Sequence, residues 1–277
     1  METIRRTEAR SILSPTTGFI AEAGFTHSLT PARNCTFGCT YCYVPTLGIY
    51  GGLKPEDWQR WGQFTTFKTN AAALLRRELR EHQTIYCSPL VDPYQPAEAE
   101  ERMMPGILEA VMERPPRVFV LQTRGPLILR DLEKLQAVAA RTTLRVSFSI
   151  PTNRDEVLRL YEPRCPGFAE RIATVRALCN AGIETYATLA PLLPCDPEEL
   201  AREAKEASGR DLIGDPLHVR AVKRLGATTR DAAFRIADAQ GHAAWLDPEF
   251  QEEMVERIQR VAPGFKTGSG GFARLAV

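Results

Sequence analysis

From residue 68 onward the apolar positions alternate between two periods. A short run rich in β-branched and aromatic residues is followed each time by a stretch with an apolar stripe every three to four positions. Residues 84–90 (TIYCSPL) predict a buried strand, and the loop VDPYQPAE leads into a helix with Met104, Leu108, Val111 and Met112 on one face. Residues 117–123 (RVFVLQT) predict the next strand, and Leu132, Leu135 and Val138 form the stripe of the helix after it. Residues 143–150 (TLRVSFSI) precede a helix ending in ERIATVRALCNAG, with Gly182 as its stop. Residues 185–189 then lead through PLLPCD into the helix PEELAREAKEAS. Upstream, residues 26–30 predict a first strand and residues 71–80 a first helix, with a cysteine-rich loop between them. Strands alternating with helices imply parallel strands joined by right-handed crossovers. The pattern yields five βα units, and a sixth if residues 218–222 are a strand, which is too few for a closed eight-unit barrel. The expected fold is therefore an α/β, incomplete (β/α)6 TIM-like barrel, whose site lies on the loops at the carboxyl ends of the strands. Residues 1–24 are expected to be an N-terminal extension, 25–209 the barrel core, and 210–277 a C-terminal extension. The last stretch, GFKTGSGGFARLAV, reads as a flexible or substrate-facing tail.

Charge removes some classes of partner. Lys and Arg number 35 against 34 Asp and Glu, a net charge of +1, so no overall field draws the chain to a polyanion and any such contact must be local. No segment approaches the roughly 20 apolar residues of a membrane span, and no membrane association is expected. The expected compartment is the cytoplasm. There seven cysteines are poorly explained as disulfides, and clustered ones point to metal or redox chemistry.

The cluster is NCTFGCTYCY, where Cys35, Cys39 and Cys42 follow C-x3-C-x2-C and Gly38 can turn the loop so that all three sulfurs face one point. Structural zinc needs a fourth ligand, for which His27 is the nearby candidate; on that alternative the chain is a non-catalytic, zinc-stabilised nucleic-acid-binding module. A 4Fe-4S cluster ordinarily takes four thiolates, so three leave one iron open to bind a small molecule.

C-x3-C-x-aromatic-C, with Tyr41 as the aromatic, resembles the signature of radical S-adenosylmethionine (SAM) enzymes, and it sits after the first strand of a partial barrel, where they carry it. SPLVDPYQPAE, LQTRGPLILRDL and FSIPTNRDEVLRLYEPRCP narrow the likeness to the spore photoproduct lyase-like group, also called DNA repair photolyases. Together these stretches span most of residues 25–195. The resemblance implies that Cys35, Cys39 and Cys42 hold a 4Fe-4S cluster and that S-adenosylmethionine chelates its open iron. It implies reductive cleavage to a 5′-deoxyadenosyl radical that abstracts hydrogen from substrate, with an external electron donor such as flavodoxin or ferredoxin. Tyr41 would pack beside the cluster, Ser88 and Ser149 would hydrogen-bond S-adenosylmethionine, and Arg124, at a position where relatives often carry lysine, would meet its carboxylate. Cys87 matches the cysteine that returns a hydrogen atom to the product radical in the lyase itself; its bland counterpart is a small buried hydrophobe.

The remaining candidates carry less. Asp92 and Tyr94 lie on a site-facing loop, where they either contact substrate or build a prolyl turn. Glu162 and Arg164 either orient substrate or pair with each other. Cys179 falls on the apolar face of its helix and is expected in the core, while Cys165 and Cys195 lie in loops too far apart in sequence to suggest a second cluster. Residues 218–235 concentrate basic side chains, and Lys266 and Arg274 add to them, which would suit a phosphate backbone. A nucleic-acid lesion or base is thus the leading substrate; a protein, peptide or small molecule is the alternative.

Overall fold

The computed structural model describes residues 3–47, 60–219 and 229–277. Its strands in chain order are β1 (Thr3–Thr7), β2 (Leu13–Pro15), β3 (His27–Leu29), β4 (Ala32–Arg33), β5 (Phe64–Lys68), β6 (Thr84–Cys87), β7 (Val118–Thr123), β8 (Thr143–Ser149), β9 (Glu184–Leu192), β10 (Ile213–Pro216) and β11 (Lys266–Thr267). Eight of them form the main sheet in the order β11-β10-β9-β8-β7-β6-β3-β2. Every neighbouring pair runs parallel except β2 with β3. β1, β5 and β4 make a separate small sheet beside the cysteine loop.

The period of two along each strand divides its side chains between two apolar regions. Ile85, Cys87, Phe119, Leu121, Val146, Phe148, Ala187 and Leu189 pack outward under the helices, against residues such as Leu75, Leu108, Leu135 and Val175. Tyr86, Val118, Val120 and Ile213 point inward instead, where they meet Phe25, Phe272 and Leu275. The sheet is open at β2 and β11, and each edge strand is followed by a short helix, Gly18–Glu22 and Gly268–Phe272. The Phe19 and Phe272 rings of those helices meet edge to face at 5.3 Å, joining the two ends of the open barrel.

Two expectations change here. The sixth strand is β10, upstream of 218–222; His218 and Val219 lie outside any strand, and residues 220–222 fall outside the described residues. Gly214 and Pro216 disguise β10 in the sequence. Gly214 is required because a Cβ there would meet the Phe265 ring at 2.6 Å and the Leu189 carbonyl oxygen at 2.8 Å. Secondly, the glycine-rich stretch after Phe265 is no flexible tail. It supplies β11 and a helix, buries Phe272, Leu275 and Ala276, and is tied down where Arg145 donates to the Leu275 carbonyl at 3.1 Å. Beyond Gly209 the chain therefore adds two strands to the same sheet rather than leaving it.

Candidate active site

The cysteine loop leaves the small sheet at β4 and is held from several sides. Gly38 adopts φ +65°, and a Cβ on it would lie 2.9 Å from the Gly62 Cα, so the loop backbone docks directly on a neighbouring backbone. The Thr36 N–H donates to Gln95 Oε1 at 2.8 Å, and the Thr40 N–H to the Tyr161 carbonyl at 2.9 Å. Arg230 donates to the carbonyls of Thr40 and Cys39 at 3.2 and 3.3 Å. These ties turn Cys35, Cys39 and Cys42 toward one cavity of about 270 Å³ at the carboxyl end of the strands.

The donor set distinguishes a cluster from a single ion. Thiolates about 2.3 Å from one zinc would lie about 3.8 Å from each other. Among the described residues, the trio of potential ligand atoms within 4.8 Å of one another is Cys39, Glu162 and Cys165, not the three motif cysteines. Three thiols set more widely around one cavity suit the corners of a multi-iron cluster, whose ordinary ligands are thiolates. His27, the proposed fourth zinc ligand, stands at the start of β3, the opposite end of the strand from the cysteine loop. There its Nδ1 lies 3.0 Å from Thr26 Oγ1, and the zinc arrangement is not formed.

Behind Cys39 lies a buried ionic group. Glu162 accepts hydrogen bonds from Tyr41, Arg124 and Arg171, and both Glu162 and Arg171 have fully buried side chains. Burial alone would raise the Glu162 carboxyl, but the Arg124 and Arg171 guanidiniums outweigh it and hold it at about 2. Arg124 also approaches Cys39 Sγ at 3.5 Å and lies over the Tyr41 ring at 5.9 Å. Glu162 thus does not pair with Arg164, whose guanidinium donates to the Gly62 carbonyl and supports the loop under Gly38.

The other sequence candidates divide between cavity and core. Ser88 lines the cavity, its Oγ 3.4 Å from Thr30 Oγ1. Ser149 is fully buried, does not line the cavity and donates to the Ala190 carbonyl at 3.1 Å. Asp92 faces the cavity but is built into the turn: it accepts from the N–H groups of Tyr94 and Arg124 at 2.9 and 2.8 Å and from Thr123 Oγ1 at 2.6 Å. Tyr94 belongs to the core between sheet and helices, as does Cys87, whose thiol burial pushes up. Cys87 and Ser88 are adjacent in sequence, yet only Ser88 reaches the cavity, so the hydrogen-donor role for Cys87 has no geometric support.

Several cavity groups escaped the sequence. Phe19, Tyr43, Tyr86 and Phe272 give it aromatic walls, with Gln122 bonded to the Tyr86 hydroxyl. Asp215 and His218 face it from the end of β10, with Asp215 Oδ2 2.5 Å from His218 Nε2. Outside the cavity lining, Arg171 and Cys165 join the buried group behind Cys39, and a separation of more than 120 residues from Cys39 hides the Cys165 contact from any spacing rule. Cys195 packs in the main core and Cys179 against it, apart from this site. Of the basic stretch, residues 220–228 lie outside the described residues; Arg230 supports the cysteine loop and Arg274 pairs with Asp211 at 3.4 Å, while Arg235 and Lys266 are exposed. No helix among the described residues is long and apolar enough to cross a membrane.

Comparison with known proteins agrees with this geometry. The family model described as the Radical SAM superfamily matches residues 29–207. An uncharacterized protein of Mycobacterium tuberculosis (strain ATCC 25618 / H37Rv) is 28% identical over 252 residues, covering 84% of this chain and 73% of that one. An uncharacterized protein of Methanocaldococcus jannaschii is 25% identical over 173 residues, 62% of each chain. Among solved structures, a spore photoproduct lyase variant is similar with a TM-score of 0.61 and 15% identity, over 96% of this chain and 81% of that one. A second lyase variant, with bound AdoMet and dinucleoside spore photoproduct, gives a TM-score of 0.61 and 16% identity over the same shares. At such identities the likeness is one of fold.

Proposed function

Because this chain belongs to the radical SAM superfamily, we propose that it acts on a substrate presenting a flat, nucleobase-like ring to the cavity beside the cysteine loop. A 4Fe-4S cluster and S-adenosylmethionine are the cofactors that membership entails, with electrons from an external donor. Flavodoxin or ferredoxin is the class we propose for it. When bound, this pair supplies one-electron cleavage of a carbon–sulfur bond and, through it, hydrogen-atom abstraction. Cys35, Cys39 and Cys42 would hold the cluster. Tyr41 and Arg124, fixed through Glu162, form the wall behind it, and the Ser88 hydroxyl is available to a polar group of S-adenosylmethionine.

One observation carries the substrate reading. Phe19, Tyr43, Tyr86 and Phe272 line one cavity together with the polar Gln122 and the Asp215–His218 pair. A ring that stacks and hydrogen-bonds at its edge suits both features. A cavity of about 270 Å³ that also takes S-adenosylmethionine suits a single ring, so a polymer would present one extruded base.

The test is release of 5′-deoxyadenosine by anaerobically loaded protein, with a strong reductant and each candidate in turn: lesion-bearing DNA, undamaged DNA, RNA, nucleosides and peptides. Stimulation by base-bearing compounds is expected. Stimulation by peptides or non-aromatic metabolites alone would refute the substrate class while leaving the cofactor chemistry intact. Cys35→Ala, Cys39→Ala and Cys42→Ala should each lose bound iron, measured by metal analysis; full iron in all three would refute the cluster assignment itself.

A further inference from the structure

Cys39 has a second possible partner. Cys165 lies in the turn after the helix Asp155–Tyr161, its N–H donating to the Glu162 carbonyl at 2.9 Å. Its Sγ stands 3.9 Å from Cys39 Sγ, and both sulfurs belong to the compact group they form with Glu162. Arg124 donates to the Cys39 sulfur at 3.5 Å and also to Glu162, the third member of this group. Of the motif cysteines, Cys39 is the one grouped with Cys165, and outside the motif Cys87 and Cys195 are buried in the main core while Cys179 donates to the Ser208 carbonyl.

We propose that in the cluster-free protein Cys39 and Cys165 form a reversible disulfide, making Cys165 a redox-modification site that alternates with iron for possession of Cys39. The oxidant class is a peroxide. The Cys39 sulfur attacks the O–O bond, which breaks; sulfur gains oxygen as a sulfenic acid and the other oxygen leaves as water. The Cys165 sulfur then attacks the Cys39 sulfur, the S–O bond breaks, and the second oxygen leaves with a proton as water. Two thiols have lost two electrons and two protons to one peroxide. A dithiol reductant returns both by exchange, and Cys39 is again free to ligate. The sulfurs must close by about 2 Å from 3.9 Å to reach bonding distance. A sulfenic acid captured this way is spared further oxidation to the irreversible acids.

The consequence is specific to a ligand cysteine. While bonded to Cys165, Cys39 cannot bind iron, so the oxidised chain is protected but silent until reduced. The proposal depends on the cluster assignment only in calling Cys39 a ligand, and the linkage itself is read in metal-free protein.

The experiment exposes chelator-treated protein to hydrogen peroxide, blocks free thiols by alkylation, and maps peptides without reductant. A Cys39–Cys165 linked peptide is expected, with loss of iron loading that dithiothreitol restores. Cys165→Ser and Cys165→Ala should load iron like the wild type before oxidation. After peroxide both should carry Cys39 in sulfinic or sulfonic form and lose loading permanently. Linkage of Cys39 to Cys35 or Cys42, both thiols recovered alkylated, or variants that recover with dithiothreitol as fully as the wild type would each overturn the proposal. If the linked peptide forms but unoxidised protein never loads iron, the alternation with iron is overturned along with the cluster assignment, whereas absence of the linkage leaves that assignment untouched.

Discussion

Glu162 and Arg171 are fully buried, Arg124 and the Tyr41 phenol are mostly so, and the Glu162 carboxylate is what makes that burial tolerable for all of them. Its carboxyl falls from the ordinary 4.5 to about 2. A depressed folded-state value contributes stability that is fully present above the unfolded value and lost as pH falls from about 4.5 toward 2, here on the order of 3 kcal/mol. Asp92 works in the opposite sense, because burial raises it despite Arg124, so the useful measurement is a difference. Glu162→Gln should destabilise the fold by roughly 3 kcal/mol at neutral pH. Its deficit against the wild type should shrink on acidification through that window, and a deficit independent of pH would show that the carboxylate charge is not what matters. Cys87→Ala is a simpler case: a thiol in the main core, beside Leu29 and Leu121 on the neighbouring strands, should cost about 1 kcal/mol on thermal melting. It should leave iron content and product unchanged, and an altered product with unaltered stability would restore the donor role. The sequence singles out Glu162 and Arg164 and offers two roles for them, orienting substrate or pairing with each other, because neighbours in the chain are the partners it can propose. Arg124 and Arg171 come from other elements.

The cysteine loop is the element on which the site depends, and its shape rests on a backbone contact. Gly38 and Gly62 meet with no room for a Cβ, and Gly38 has the left-handed φ that glycine tolerates. Gly38→Ala should cost about 1–3 kcal/mol and, because the loop must lift away from Gly62, should reduce bound iron more than it reduces stability elsewhere. Unchanged iron content would mean that the loop is held by its hydrogen bonds to Gln95, Tyr161 and Arg230 instead. The need for Gly38 was visible in the sequence; its contact Gly62 was not. The βα units from Thr84 to Ser208 were likewise legible, since each buries one apolar stripe and repeats. β10 and β11 were not, because their identity comes from parallel neighbours rather than from a pattern of their own.

At the scale of the molecule, an open barrel must cover two edges and fill its interior. Here the helices following β2 and β11 do both, and Phe19 and Phe272 close the seam while walling the cavity. A double-mutant cycle of Phe19→Ala and Phe272→Ala should give a coupling of about 0.5–1.5 kcal/mol, and either single change should widen the set of compounds that stimulate turnover. A coupling of zero would mean that the two ends close independently. The sequence by itself determined the layered α/β class and the cysteine motif with its three thiols. Those features are written in short-range periodicity and spacing, which follow from backbone geometry alone. The tertiary structure decided which side of β6 Cys87 faces and which cations neutralise Glu162. It also placed Cys165 beside Cys39 and folded the glycine-rich end into the barrel. Each of these depends on contacts between residues distant in the chain, which are fixed only when packing brings their elements together.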